Sequence, residues 1–511
     1  FIRGNNEGKY EGAYVGEPVR GFQDYIVSFD VNSLYPNIMI SLNLSPETKM
    51  GTFDISDDKI NFYKVKGNTN VLTKQNFVKG VKSQNLSVSK ANVVFSQNKI
   101  GIYPAIVDNF YKERTKIRRQ MNKLKRKLHE LPEDDPSRPE LEDAINKHHI
   151  KQFTIKIFIN TVYGYFGNKH APMGDVDISR SITLTGQAVI KQSNKILNEY
   201  FMSRGVTEDE LRKRPCVVYN DTDSVYISIK HLVDKLGINF KTKKGRVSKD
   251  VHNLVNDIEK YLNDNIKRWG QAVLNSSDCR FEFKRESICD VGLFLQKKRY
   301  ILHVMDDEGI PVDKFKYTGV EVVRTTMPKA IKPYVKKIIE TMLMTKEFSK
   351  TNNVLNEAYD IFKSLSLEDI AFVMGISQYK TKVFDDYGNI KDECDGFKTY
   401  KGMPIHVKGS YYYNLLLDKL NLTSKYETIG SGDKVRYFYV KQPNKYGIKS
   451  FGYKYYFPEE FKNDIIPDTE LMFDKIIYSV IERLYESVGW KPRKPGELVQ
   501  TDLFELLKID S

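Results

Sequence analysis

Two aspartates stand two residues apart in "PCVVYNDTDSVYIS", Pro215 to Ser228, inside a run whose Val, Tyr and Ile favour extended structure. Asn-Asp-Thr-Asp in its middle reads as a tight turn, so the segment predicts a hairpin that projects Asp221 and Asp223 near one another. A third carboxylate, Asp30, ends the apolar strand pattern Val27–Phe29 in "VSFDVNSLYPN" and sits beside a turn. Each is ordinary alone, because solvated turns are rich in Asp and a strand-end Asp is commonly a cap. Together, Asp30, Asp221 and Asp223 would form an oxygen-rich cluster on a sheet, the ligand set that Mg²⁺ favours. Two such ions, roughly 3.5–4 Å apart, can activate an attacking hydroxyl and neutralise a leaving pyrophosphate.

The complementary charge lies on two predicted helices. In "KIFINTVYG", Lys156, Asn160, Tyr163 and Gly164 fall at i, i+4, i+7 and i+8, one helical face. The facing helix carries Arg114 and Arg118 one turn apart, within a segment of nine basic residues and one acidic residue between Phe110 and Leu128. Such a face would offer cations to a triphosphate, with Tyr163 and Gly164 close to a nascent base pair. A solvated basic helix explains any single Lys or Arg here. It explains a polar stripe with Tyr and Gly at a helix end less well.

The elements that must hold these groups follow from the rest of the chain. Residues 1–50 give a polar lead-in and then "YIVSFDVNSLYPNIMISL", a buried strand running into a Pro-marked turn. Residues 51–100 mix short strand-like runs with Lys, Asn and Gly and read as a peripheral insertion. The acidic, Pro-punctuated "LPEDDPSRPELEDA" joins the two helices into an antiparallel hairpin. An amphipathic helix over 178–202 leads to the aspartate hairpin, and from Met327 the pattern is mainly helical. A Lys/Pro-rich linker, Lys491 to Pro495, precedes an apolar knob of Leu503, Phe504 and Leu507. The 511 residues carry a net charge of +14 with 32 Tyr and 28 Phe, a balance suited to a polyanionic partner. Cys216, Cys279, Cys289 and Cys394 lack zinc-ligand spacing and point to a reducing, cytosol-like compartment. No apolar run approaches a membrane span.

"DVNSLYPN", "KIFINTVYG" and "YNDTDS" resemble motifs A, B and C of family B DNA polymerases, in the same order. "SPETKMGTF" and "KKRY" resemble the replicative polymerases of T-even-type tailed bacteriophages in particular, and the likeness runs from Gly12 to the C-terminal "DLFELL". The resemblance implies an α+β right-hand fold with an antiparallel palm sheet, two-helix fingers and a mostly helical thumb. Palm would fall in 1–107 and 167–326, fingers in 108–166, thumb in 327–490 and a tail in 491–511. It implies primer–template DNA and deoxynucleotides as substrates, two Mg²⁺ ions with Mn²⁺ as a substitute, and a place in phage DNA replication in the host cytoplasm. Asp30, Asp223 and the Val31 carbonyl would be metal ligands and Asp221 a lesser carboxylate. Tyr35 would exclude a 2′-hydroxyl, while the backbone at Ser33 and Leu34, with Arg114, Arg118, Lys156 and Asn160, would hold the triphosphate. Lys297, Lys298, Arg299, Tyr300 and Thr222 would touch the primer, and Glu286 would stand near the metals. The tail would bind a sliding clamp.

Two departures qualify the likeness. Asn220 stands where family members have Gly before the first motif C aspartate, and Asn suits positive φ, so the turn is expected to survive. Only 29 residues precede Asp30, too few for an acidic exonuclease motif, so a polymerase module is expected whose exonuclease is a separate chain or was removed. A non-catalytic DNA-binding relic would lack a metal aspartate, and an RNA-synthesising enzyme would favour a small residue at Tyr35. Neither expectation is met.

Overall fold

The computed structural model describes residues 11–65, 69–168, 170–324 and 326–495. They divide into two compact units, one of residues up to 19, 23–292 and 303–314, the other of 20–22, 293–302 and 315 onward.

The first unit is organised by β1 (Gly21–Val31), whose Ile26, Val27, Phe29 and Val31 are wholly buried. Its one polar residue between Ile26 and Phe29, Ser28, is buried too and shares a 2.7 Å hydrogen bond with Ser287. A left-handed residue, Ser33 (φ 50°), turns the chain into α1 (Leu34–Leu42), which sinks Leu34, Ile38, Met39 and Leu42 into the same core. Residues 49–96 form β2 (Lys49–Ser56), β3 (Lys59–Lys64), β4 (Asn70–Thr73), α2 (Lys74–Ser83), β5 (Leu86–Val88) and β6 (Val93–Ser96). These make a five-stranded sheet, order β4-β3-β2-β6-β5, over a small core of Ile60, Phe77, Val81, Leu86 and Val94. The insertion thus folds as a sheet with its own core.

The helical hairpin is α3 (Ile102–Glu130) and α4 (Arg138–Phe166). The connection is shorter than the acidic stretch suggests: α4 starts at Arg138 with a proline in its first turn, where a missing N–H costs nothing. Next come α5 (Val176–Ser203), α6 (Glu208–Lys213) and the hairpin β7 (Val217–Asp221) and β8 (Ser224–Ser228). β8 pairs antiparallel with both β7 and β1. After α7 (Lys230–Leu236), α8 (Lys249–Leu274) packs along α5 with a stripe of Val251, Leu254, Val255, Ile258, Leu262 and Ile266. β9 (Phe283–Gln296), β10 (Arg299–Asp307) and β11 (Ile310–Thr318) complete a six-stranded sheet, order β11-β10-β9-β1-β8-β7, and their chain continues into the second unit.

The second unit contains α9 (Lys332–Thr345), α10 (Phe348–Ser364), α11 (Leu367–Ile370), α12 (Ile405–Lys419), α13 (Thr469–Phe473) and α14 (Ser479–Ser487). It also contains a three-stranded sheet, β12 (Phe372–Gly375), β15 (Lys434–Tyr439) and β16 (Ser450–Tyr453), and the hairpin β13 (Lys382–Phe384) with β14 (Ile390–Glu393). The mainly helical expectation missed these strands because most are only three or four residues long, too short for alternation to register. α12 lies on β16 so closely that a Cβ on Gly409 would sit 2.9 Å from the Gly452 nitrogen.

Candidate active site

Asp30 and Asp223 meet because the register of β1 on β8 sets Asp30 opposite Ser224. The Val31 N–H donates to the Asp223 carbonyl at 2.9 Å, and the Ser224 hydroxyl donates to the Asp30 carboxylate at 3.0 Å. Burial, reinforced by the Asp223 and Glu286 carboxylates, pushes the Asp30 pKa up to about 7, against the hydrogen bond from Ser224 and the charge of Lys156. Burial also raises Asp223, with Asp221 and Glu286 adding to the shift and Lys156 opposing it. Two shielded carboxylates that resist ionising together need protons or a cation.

Asp221 ends β7, on the far side of β8 from β1, and its charge raises the Asp223 pKa. Among the described residues no three His, Cys, Asp or Glu side chains gather closely enough to hold a metal ion. Asp30 and Asp223 are thus two carboxylates whose pKa values are both raised, with Glu286 acting on both and Asp221 on Asp223.

The turn also corrects the expectation for Asn220. Its left-handed residue is Thr222 (φ 62°), whose hydroxyl donates to Asp221 at 3.2 Å and whose N–H donates to the Tyr14 carbonyl at 3.0 Å. Asn220 keeps strand geometry, paired with Val225 and 4% exposed. It exchanges side-chain amide hydrogen bonds of 2.8 and 3.1 Å with Asn194 of α5.

The helices α3 and α4 supply the cations unevenly. Arg114 is buried and donates to the Ser33 hydroxyl at 2.8 Å and to Gln152 at 3.4 Å, fixing the loop that follows Asp30. Arg118 is turned to Glu308, 2.8 Å away. Lys156 and Asn160 are exposed on α4, and the Lys156 charge reaches both aspartates. Tyr163 packs on Tyr35 with ring centroids 4.7 Å apart. A Cβ on Gly164 would meet nothing within 4 Å, so packing within the chain does not require glycine there. Lys112, Lys116, Arg119 and Lys123 border a groove of about 410 Å³ on the other side of α3.

The "KKRY" segment belongs to the second unit. Lys297 and Lys298 are exposed at the β9–β10 turn, whereas Arg299 pairs with Glu321 and Tyr300 is buried and stacked on Phe294. Leu503, Phe504 and Leu507 lie outside the described residues. Sequence reasoning missed Ser224, Glu308 and Gln152. Ser224 directly follows Asp223 and was open to notice, but only sheet register shows that it serves Asp30. No disulfide forms among the described residues, and no described helix is long and apolar enough to cross a membrane.

The chain belongs to the DNA polymerase family B, which matches it over residues 2–488. It is similar to the DNA-directed DNA polymerase of Escherichia phage RB69, 26% identical over 495 residues that cover 86% of this chain and 50% of that protein. The DNA-directed DNA polymerase of Enterobacteria phage T4 is 24% identical over 545 residues, 94% of this chain and 55% of that protein. A DNA polymerase beta of African swine fever virus is 30% identical over 231 residues, 45% of this chain and 17% of that protein. The chain spans about half the length of the phage relatives it matches.

Proposed function

We propose that this chain carries the nucleotidyl-transfer centre of a template-directed DNA polymerase acting in phage DNA replication. The observation that carries the proposal is the Asp30–Asp223 pair, two shielded carboxylates with raised pKa values and a single nearby lysine charge, Lys156, among the groups that shift them. The donor set suits a divalent cation, because both groups are anionic oxygen ligands whose mutual repulsion a cation relieves. Asp30, Asp223 and the Val31 carbonyl would hold two Mg²⁺ ions, which when bound lower the pKa of a primer 3′-hydroxyl and neutralise the departing pyrophosphate.

The remaining steps belong to the protein's own residues. Lys156 places a positive charge against the triphosphate and, before nucleotide arrives, moderates the repulsion between the aspartates. Arg114 fixes the Ser33 turn, whose left-handed backbone presents the N–H groups at the start of α1 to phosphate oxygens. Tyr35 lies beneath the sugar and excludes a 2′-hydroxyl. Gly164, bare of side chain where the chain has room for one, leaves space for the nascent base pair beside Tyr163 and Asn160. In this reading palm, fingers and thumb keep the boundaries given above, and Lys297 and Lys298 are the members of their segment that reach DNA. Arg118 leaves Glu308 to join the triphosphate when the fingers close.

Primer extension with a matched deoxynucleotide and Mg²⁺ tests the proposal. The wild-type chain extends the primer, and Asp30→Asn or Asp223→Asn does not while still binding primer–template. Failure of the wild type to extend, or extension by both variants at its rate, refutes it.

A further inference from the structure

Gly186 lies buried inside α5 with ordinary helical backbone, where glycine is a poorer choice than alanine. The reason is on its outer side. A Cβ there would lie 3.2 Å from Tyr35 Cε1, 3.4 Å from Leu34 Cδ2 and 3.5 Å from Ile38 Cδ1. The contact to the Tyr35 ring is tighter than packed carbons tolerate without displacement.

α5 cannot readily retreat from this contact. Thr185 accepts a hydrogen bond from the Lys90 N–H at 3.2 Å, Ser181 shares one of 2.8 Å with Ser89, and Gln187 donates to the Gly12 carbonyl at 2.8 Å. Tyr163 of α4 also leans on the Tyr35 ring, at 52°. The Tyr35 ring thus touches both a fixed helix that offers it a hydrogen atom and a tyrosine from the helical hairpin.

We propose that Gly186 is a positioning residue for sugar selection: its missing side chain sets how deep the Tyr35 ring lies, and so how much room remains above it for the nucleotide's 2′ carbon. This rests on the reading of Tyr35 given under the proposed function. A methyl group at 186 displaces the ring a few tenths of an ångström and narrows that room. Deoxynucleotides are then used less well and ribonucleotides less well still.

The experiment measures single incorporation of matched deoxy- and ribonucleotides by the wild type, Gly186→Ala, Tyr35→Ala and the double variant, with thermal melting and primer–template affinity followed in parallel. Gly186→Ala raises the deoxy-to-ribo efficiency ratio roughly three- to tenfold with DNA affinity unchanged. The double variant matches Tyr35→Ala alone, because without the ring the methyl group has nothing to displace. An unchanged ratio in Gly186→Ala, or a shift that persists in full on the Tyr35→Ala background, overturns the proposal. Should Gly186→Ala unfold, recovery of folding in the double variant supports the ring contact. Failure of both places the clash at Leu34 or Ile38 and overturns it. A Tyr35→Ala variant with normal sugar discrimination would instead remove the gate reading itself.

Discussion

Asp30 and Asp290 sit on neighbouring strands of one sheet, both shielded from water, and the protein treats them in opposite ways. Asp290 receives His303 Nδ1 at 2.6 Å and Lys241 Nζ at 2.5 Å, and these partners hold its carboxyl below the usual range despite burial. His303 is completed by Asp313, 2.6 Å from its other ring nitrogen. Asp30 has a serine hydroxyl, two like-charged neighbours and a lysine charge too weak to offset them. The chain can evidently match a buried carboxylate. Leaving Asp30 and Asp223 under-compensated is a cost to stability of the kind that clusters at functional sites, where a proton or a cation can complete the set.

The sharpest way to break this contrast is to remove a carboxylate from each group. Asp30→Asn or Asp223→Asn should lower nucleotide addition by about a thousandfold or more. At pH 7 the melting midpoint should stay or rise, since a repulsion is relieved. Asp290→Asn should do the reverse, costing about 1–3 kcal/mol of stability through the unmatched His303 and Lys241. Its single-turnover rate at low temperature should remain near wild type. A destabilised Asp30→Asn would show that this pair is structural after all.

Tyr35→Ala should come next in size, reducing discrimination against ribonucleotides about a hundredfold. Unchanged discrimination would leave Tyr35 as a packing residue for α1. Smaller effects are expected among the cations. Lys156→Ala and Arg114→Ala should each raise the nucleotide KM about tenfold, with primer–template Kd within about twofold. Arg118→Ala should change less, because its guanidinium already has Glu308. A reduced salt slope of DNA binding in any of the three would assign that residue to the nucleic-acid backbone.

The smallest effect concerns pH. Hydrogen bonding to Asp290 raises the His303 pKa in the folded chain. The stabilisation it contributes is complete below about pH 6.5, the unfolded value, and fades as pH rises through the higher folded value. The melting midpoint of the wild type should therefore fall across that interval, and His303→Gln should flatten the slope. An identical slope in the variant would deny His303 its protonated role.

Much of the site could be read from spacing. Asp30 and Asp221 lie at the turn-marked ends of strands and Asp223 in the turn itself, and the one-face pattern of Lys156 to Gly164 needs only a helix to be realised. What stayed hidden depended on register and on partners distant in sequence. The separation of Asp221 from Asp30 follows from β8 lying between their strands, and the Arg118–Glu308 pair joins residues 190 positions apart. Burial of Tyr300 against Phe294 is equally invisible in "KKRY". For Asn220, reasoning from residue preference chose the wrong residue, since a β-branched threonine two places on takes the left-handed conformation. In the second unit, helices announce themselves by periodicity over 14 to 17 residues in α9 and α10, whereas a four-residue strand such as β16 has too little length to do so.

The paired amides of Asn194 and Asn220 have a consequence on an evolutionary scale. Each side chain satisfies the donor and the acceptor of the other, so replacing either one strands two polar groups in a site with little water. A single step from Asn220 to glycine would pass through a less stable intermediate, and so would a single change at 194. The two positions should therefore drift together among the descendants of this gene, with glycine at 220 admitted only in lineages where 194 has first become a residue content without a partner.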